Sequence, residues 1–259
     1  MTSRLAPRLT GWPIDPVVHR LRSLTSLTEH EEALVRGLSD RRERRRPGDE
    51  IIVEGQTRRQ PRFVVTGWAA RQRVLPDGRR QIFSFILPGD AFGLDLRAGA
   101  TAPWTVTALT AMETIDASPL LEDVCEGRAP GLAQGLAAST LESERLLLDH
   151  MVRLGQQTAY ERVAHFLLEL QRRLQIVGLG DSQRFPLPLT QEILADALGL
   201  SIVHVNRTLQ QLRRERLIEL RSGVAILLQP QTLAAIANYD RGPLEAPAPP
   251  RRQLASRSA

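Results

Sequence analysis

The sequence predicts an α+β chain: an N-terminal antiparallel β-roll, one long helix, and a C-terminal winged helix-turn-helix. Three observations carry this expectation. Between Glu50 and Ile115, short β-type runs alternate with turn dipeptides. After Pro130 the apolar period lengthens to the helical one and holds to about Val177. From Thr190 to Leu228, helix caps, a glycine turn and a short hairpin follow one another.

Bulk properties set the frame. The 259 residues suffice for two ordinary domains, and 42% hydrophobic with 24% charged residues is the balance of a water-soluble globular protein. No apolar run is long enough to span a bilayer, and Met1–Arg22 lacks the continuous apolar centre of a signal peptide, so a cytoplasmic protein is expected, with no membrane partner. A single cysteine, Cys125, excludes an internal disulfide framework and any cluster needing several thiolates from one chain. The five histidines are scattered without metal-ligand spacing, so no metal and no cofactor are predicted. The net charge is +5, and every basic residue is an arginine, whose planar fork suits phosphates and guanines.

Taken in order, residues 1–20 read as a flexible arm. Thr28-Glu29-His30-Glu31 has capping-box spacing and predicts a short helix to about Leu38. The run Arg41-Arg42-Glu43-Arg44-Arg45-Arg46 reads as a solvated face. Strands are expected at Ile51–Val53, Arg62–Thr66, Ala69–Val74, Gln81–Leu87 and Val106–Leu109. Between two of them, Pro76-Asp77-Gly78 is a hairpin turn in which proline presets one angle and glycine accepts the awkward one. The roll then occupies residues 21–129.

Residues 130–156 form the long helix, ~37 Å from Gly131 to Gly155 at 1.5 Å per residue. Its apolar residues fall into two overlapping stripes, one with Leu136, Leu147 and Leu154, the other with Ala137, Leu141, Leu148 and Met151. Two stripes suit a helix packed on its own roll and on a second copy of itself, which makes Leu141, Leu147, Leu148, Met151 and Leu154 the candidate dimer interface. A helix buried within one subunit is the alternative. The stretch Gly155–Thr158 breaks the pattern, Tyr160–Leu174 resumes it, and Gly178-Leu179-Gly180-Asp181 stops it. Residues 157–240 form the C-terminal domain. Residues 241–259, rich in proline, alanine and arginine, read as a disordered tail.

Within the C-terminal domain, Thr190 caps a helix whose inner face is Ile193, Leu194, Ala197 and Leu198. Gly199 supplies the left-handed turn, and Ser201 caps a second helix with Val205, Leu209 and Leu212 inward. Ile202, Val203, Asn206 and Arg207 lie opposite, with Arg213 and Arg214 further along. Arg221-Ser222-Gly223 joins two short strands into a wing. Such a second helix enters the DNA major groove with its N-terminal residues against base edges. Arg207 then meets guanine or phosphate, Asn206 adenine, and His204 a base edge or phosphate, while Thr190 and Gln191 offer backbone amides to a phosphate.

The segment LTQEILADALGLSIVHVNRTLQQLRRERLI resembles the DNA-reading segment of the Crp/Fnr family of bacterial transcription regulators, and GWAARQRVLPDGRRQIFSFILPGDAFGLD resembles its cyclic-nucleotide-binding-type roll. The likeness spans about Leu21 to Asp240. It implies a homodimer that bends or decorates a palindromic promoter site on double-stranded DNA and contacts RNA polymerase.

Two departures qualify that implication. Cyclic-AMP-responsive members carry Arg-Glu after the capping serine, where Ile202 and Val203 stand here; Arg207 matches the family's base-contacting arginine. Those members also hold the nucleotide with a Gly-Glu turn and a later Arg-Ser-Ala. Here Gly93-Leu94-Asp95 and Ala102-Pro103-Trp104-Thr105 occupy those places. Gly93, Asp95, Arg97, Trp104 and Thr105 are therefore the candidate effector pocket, with Arg97 as a replacement for the missing arginine or Trp104 as a filler of the space. The expectation is a regulator that does not respond to cyclic AMP and holds no iron–sulfur cluster; the alternative is a sensor whose DNA binding depends on an effector in the roll. No Ser/His/Asp order, phosphate-cradling glycine loop or histidine cluster supports an enzyme.

Overall fold

The computed structural model describes residues 15–57, 60–94 and 100–239. Residues 1–14 of the expected arm, residues 241–259 of the expected tail, and Asp95 and Arg97 of the candidate pocket lie outside the described residues.

Residues 15–20 are not an arm. They begin α1 (Asp15–Leu24), an amphipathic helix that buries Val17, Val18 and Leu21. Helix α2 (Glu29–Gly37) has the expected capping box: Thr28 Oγ1 accepts from the Glu31 amide, and the Glu31 carboxylate accepts from the Thr28 amide at 2.9 Å. The same buried carboxylate accepts from the Gly131 and Leu132 amides, and these bonds hold its pKa below the usual range against the opposing effect of burial.

The roll is two four-stranded antiparallel sheets. One has the order β1(Arg42–Arg45)-β8(Met112–Asp116)-β3(Arg62–Thr66)-β6(Ala91–Phe92). The other has the order β2(Glu50–Ile52)-β7(Thr105–Ala108)-β4(Ala69–Val74)-β5(Arg80–Ile86). The arginine run expected to be a solvated face is in part strand β1, paired residue for residue with β8 from Arg42↔Ile115 to Arg45↔Met112. Val64, Ile86, Phe92, Val106 and Met112 are buried between the sheets. At the β4–β5 turn Gly78 takes φ +84°, and the Asp77 carboxylate accepts from the Arg79 amide at 3.1 Å.

After α3 (Ser118–Cys125) comes α4 (Pro130–Gln156), 27 residues and therefore ~40 Å long. It turns Leu132, Leu136, Leu146 and His150 inward. Next come α5 (Ala159–Ile176), β9 (Arg184–Pro186), α6 (Gln191–Leu198), α7 (Ile202–Arg214), β10 (Ile218–Arg221), β11 (Val224–Leu227) and α8 (Pro230–Ala237). Strands β10, β11 and β9 make the wing, one strand more than the sequence suggested. Packing does not stop at residue 157. One core cluster joins Trp68, Ile82 and Phe85 of the roll to Phe166 and Leu170 of α5 and to Leu194 and Leu198 of α6. The Phe85 and Phe166 ring centroids are 5.4 Å apart. Among the described residues, no helix is long and apolar enough to cross a membrane.

Candidate nucleic-acid interface

Helix α6 starts where Thr190 Oγ1 accepts from the Ile193 amide at 3.2 Å, and ends at Gly199 with φ +62°. The Gly199 amide donates back to the Ala195 carbonyl, which turns the chain sharply. Ser201 Oγ then accepts from the His204 amide at 3.2 Å and opens α7. The hydroxyls of Thr190 and Ser201 are thus engaged as caps, and any contact they offer DNA comes beside that duty.

On α7, Val205, Thr208, Leu209 and Leu212 are buried. At 100° per residue, Val203, Asn206, Arg207, Gln210 and Arg214 share the outer stripe, Ile202 and His204 flank it, and Arg213 lies to one side. Ile202, Val203, His204, Arg207, Arg213 and Arg214 are exposed, and Asn206 is half-buried. Gln210 was missed in the sequence reading, although its place seven residues after Val203 puts it on the same stripe. Ser222 and Gly223, with φ +49° and +77°, form the two-residue turn that joins β10 to β11. Arg216 and Arg221 join Arg213 and Arg214 around an open groove of about 650 Å³ between α7 and the wing. Among the described residues this face is arginine-rich and exposed along α7, which suits a polyanion with a groove.

The roll carries a second concavity. Ile52, Arg71, Phe92, Gly93, Leu94 and Trp104 surround about 150 Å³, closed on the far side by Thr140 and Ser143 of α4. This brings Gly93 and Trp104 together as expected, but not Thr105, whose hydroxyl accepts from the Glu54 amide at 3.2 Å. Thr105 is held by its own sheet edge and does not line the cavity. The missed residue is Arg71, whose guanidinium lies 5.6 Å from the Trp104 ring centroid.

On the outer face of α4, Leu141, Leu148, Met151 and Val152 are 55–66% exposed. Leu147 is also exposed, but Leu154 is half-buried beside Gly199. Leu154 therefore packs in the hinge rather than facing outward with the others. Val152 was missed, although it follows Leu148 by four residues.

The cyclic nucleotide-binding domain family matches residues 42–118, and the Crp-like helix-turn-helix domain family matches residues 161–236. The nitrogen fixation regulation protein FixK of Rhizobium meliloti is 34% identical over 194 residues, covering 74% of this chain and 85% of that protein. The chain belongs to the Crp/Fnr family. The transcriptional activator protein FnrL of Cereibacter sphaeroides is another relative, 32% identical over 176 residues, covering 67% of this chain and 70% of its own. The solved structure of FixK2 from Bradyrhizobium japonicum superposes with a TM-score of 0.66 at 33% identity, covering 75% of this chain and 96% of that one. As a Crp/Fnr member the protein is a sequence-specific DNA-binding transcription regulator, and α6 and α7 both lie within the matched helix-turn-helix domain.

Proposed function

We propose that this regulator works in the cytoplasm as a homodimer. It would seat two α7 helices about 34 Å apart in successive major grooves of a palindromic promoter site, and contact RNA polymerase from there. The observation that carries the dimer is the apolar row Leu141, Leu148, Met151 and Val152, exposed along the helix that leads into the DNA-binding domain. Neither cyclic AMP nor an iron–sulfur cluster gates it in this reading. One cysteine cannot hold such a cluster, and the roll cavity of about 150 Å³ is smaller than the ~300 Å³ at which small-molecule sites begin.

Selection of duplexes from a random pool by the full chain tests this reading. Arg207→Ala should abolish preference for the selected site and leave weak, salt-sensitive binding, since phosphate contacts carry no sequence information. Full retention of preference would remove α7 from the readout. One observation favours effector gating as a second reading: Thr140 and Ser143 bring α4 to the cavity wall, so an occupant would touch the helix that carries the exposed row. Calorimetry against cyclic nucleotides and smaller anions decides between constitutive and gated binding.

A further inference from the structure

The outer stripe of α7 carries one residue whose chemistry does not suit a solvated face. Val203 is 78% exposed, the highest value of any large hydrophobic residue described. It heads a row that is otherwise polar: Asn206, Arg207, Gln210 and Arg214. A β-branched residue is also a poorer helix former than alanine or glutamate, so neither propensity nor packing accounts for it. In DNA the same position has a use. The Ser201 cap fixes the first turn of α7, and valine holds one dominant rotamer in a helix, so the two methyl groups are presented with little freedom left to lose. Valine neither donates nor accepts a hydrogen bond. The one base-edge group in the major groove that it matches is the C5-methyl of thymine.

We propose that Val203 is a specificity-determining residue that reads the C5-methyl group of one thymine in each half-site. Asn206 and Arg207, three and four residues on, supply the hydrogen bonds to the neighbouring bases. This rests on the recognition-helix reading above and makes the chain's base preference partly an apolar one.

The probe is a duplex selected from a random pool by the full-length protein, remade with each half-site thymine replaced in turn by deoxyuridine, which lacks only the methyl. For the natural chain, one such replacement should weaken binding about fourfold per half-site, and about fifteenfold when made in both. Val203→Ala, at an exposed position that leaves the fold intact, should bind the thymine and deoxyuridine duplexes equally at that position. A natural chain indifferent to deoxyuridine at every thymine overturns the proposal, as does a penalty that persists in Val203→Ala. In either case loss of preference in Arg207→Ala still upholds α7 as the reading helix. If Arg207→Ala keeps full preference, the recognition-helix reading falls and takes this proposal with it.

Discussion

At the scale of single residues, the DNA-reading unit hangs on Gly199. Its φ of +62° suits glycine, and a β carbon there would stand 3.0 Å from Leu154 Cδ2 and 3.6 Å from Arg162 Nη1. Gly199→Ala should therefore destabilise the fold by about 1–2 kcal/mol from the left-handed backbone alone, read as a lower urea midpoint with an unchanged slope. Thr190, Gly199 and Ser201 were legible in the sequence because capping is local: the atoms that satisfy each other lie within three or four residues. Arg71 was not. The β4–β5 pairing shifts register between Arg71 and Gln72, so strict alternation along β4 does not say which side the arginine takes. Thr105 failed for a related reason, since its partner, the Glu54 amide, is 51 residues away.

Among the elements, the junction of α4, α5 and α6 is held by arginines. Arg162 on α5 donates to the carbonyls of Leu198 (2.6 Å), Leu154 (3.1 Å) and Gln157 (3.0 Å), so one side chain satisfies the C-terminal ends of α4 and α6 together. Nearby, the buried Arg153 guanidinium contacts the Glu169 carboxylate, His165 Nδ1 and His150 Nδ1. Burial, reinforced by Arg153 and opposed by Glu169, pulls the His150 pKa down to about 4. The unfolded chain takes up this proton near pH 6.5 and the folded chain only near 4. The contribution of neutral His150 is thus complete above pH 6.5 and is lost as the pH falls toward 4, by on the order of 3 kcal/mol. Urea titrations at pH 7 and pH 4.5 should show a fall in stability that is smaller in His150→Gln. Equal falls in both proteins would place the acid sensitivity elsewhere. Elements whose signal is polar were the ones the sequence hid. Strand β1 reads as a charge run because its side chains meet partners such as Glu113, which accepts from Arg44 at 3.1 Å, rather than an apolar core. Residues 15–20 read as an arm because the ten-residue helix they open is too short to stand alone and forms against the roll.

Over the whole molecule, the roll and the DNA-binding unit are fastened to each other within one chain. Arg80 on β5 donates to the Asp196 carboxylate on α6 at 2.7 Å, Gln81 donates to the Asp196 carbonyl at 3.0 Å, and the shared core lies behind them. A copy of the chain is then one body, and in the proposed homodimer two-fold reading of DNA depends on the exposed row of α4. Leu148 sits mid-row and is 55% exposed, so Leu148→Glu costs the fold of a single copy little. It should convert the protein to a monomer by sedimentation with an unchanged circular dichroism spectrum, and the melting temperature should fall only by what the lost association contributed. Binding to a full palindrome should then drop by ~10²-fold or more toward that of a single half-site, since the second helix no longer arrives at high effective concentration. The slope of affinity against salt should fall with it, as one copy releases half the counterions. A Leu148→Glu protein that sediments as a dimer and keeps palindrome affinity would move the interface off α4, and with it the spacing expected between the two reading helices.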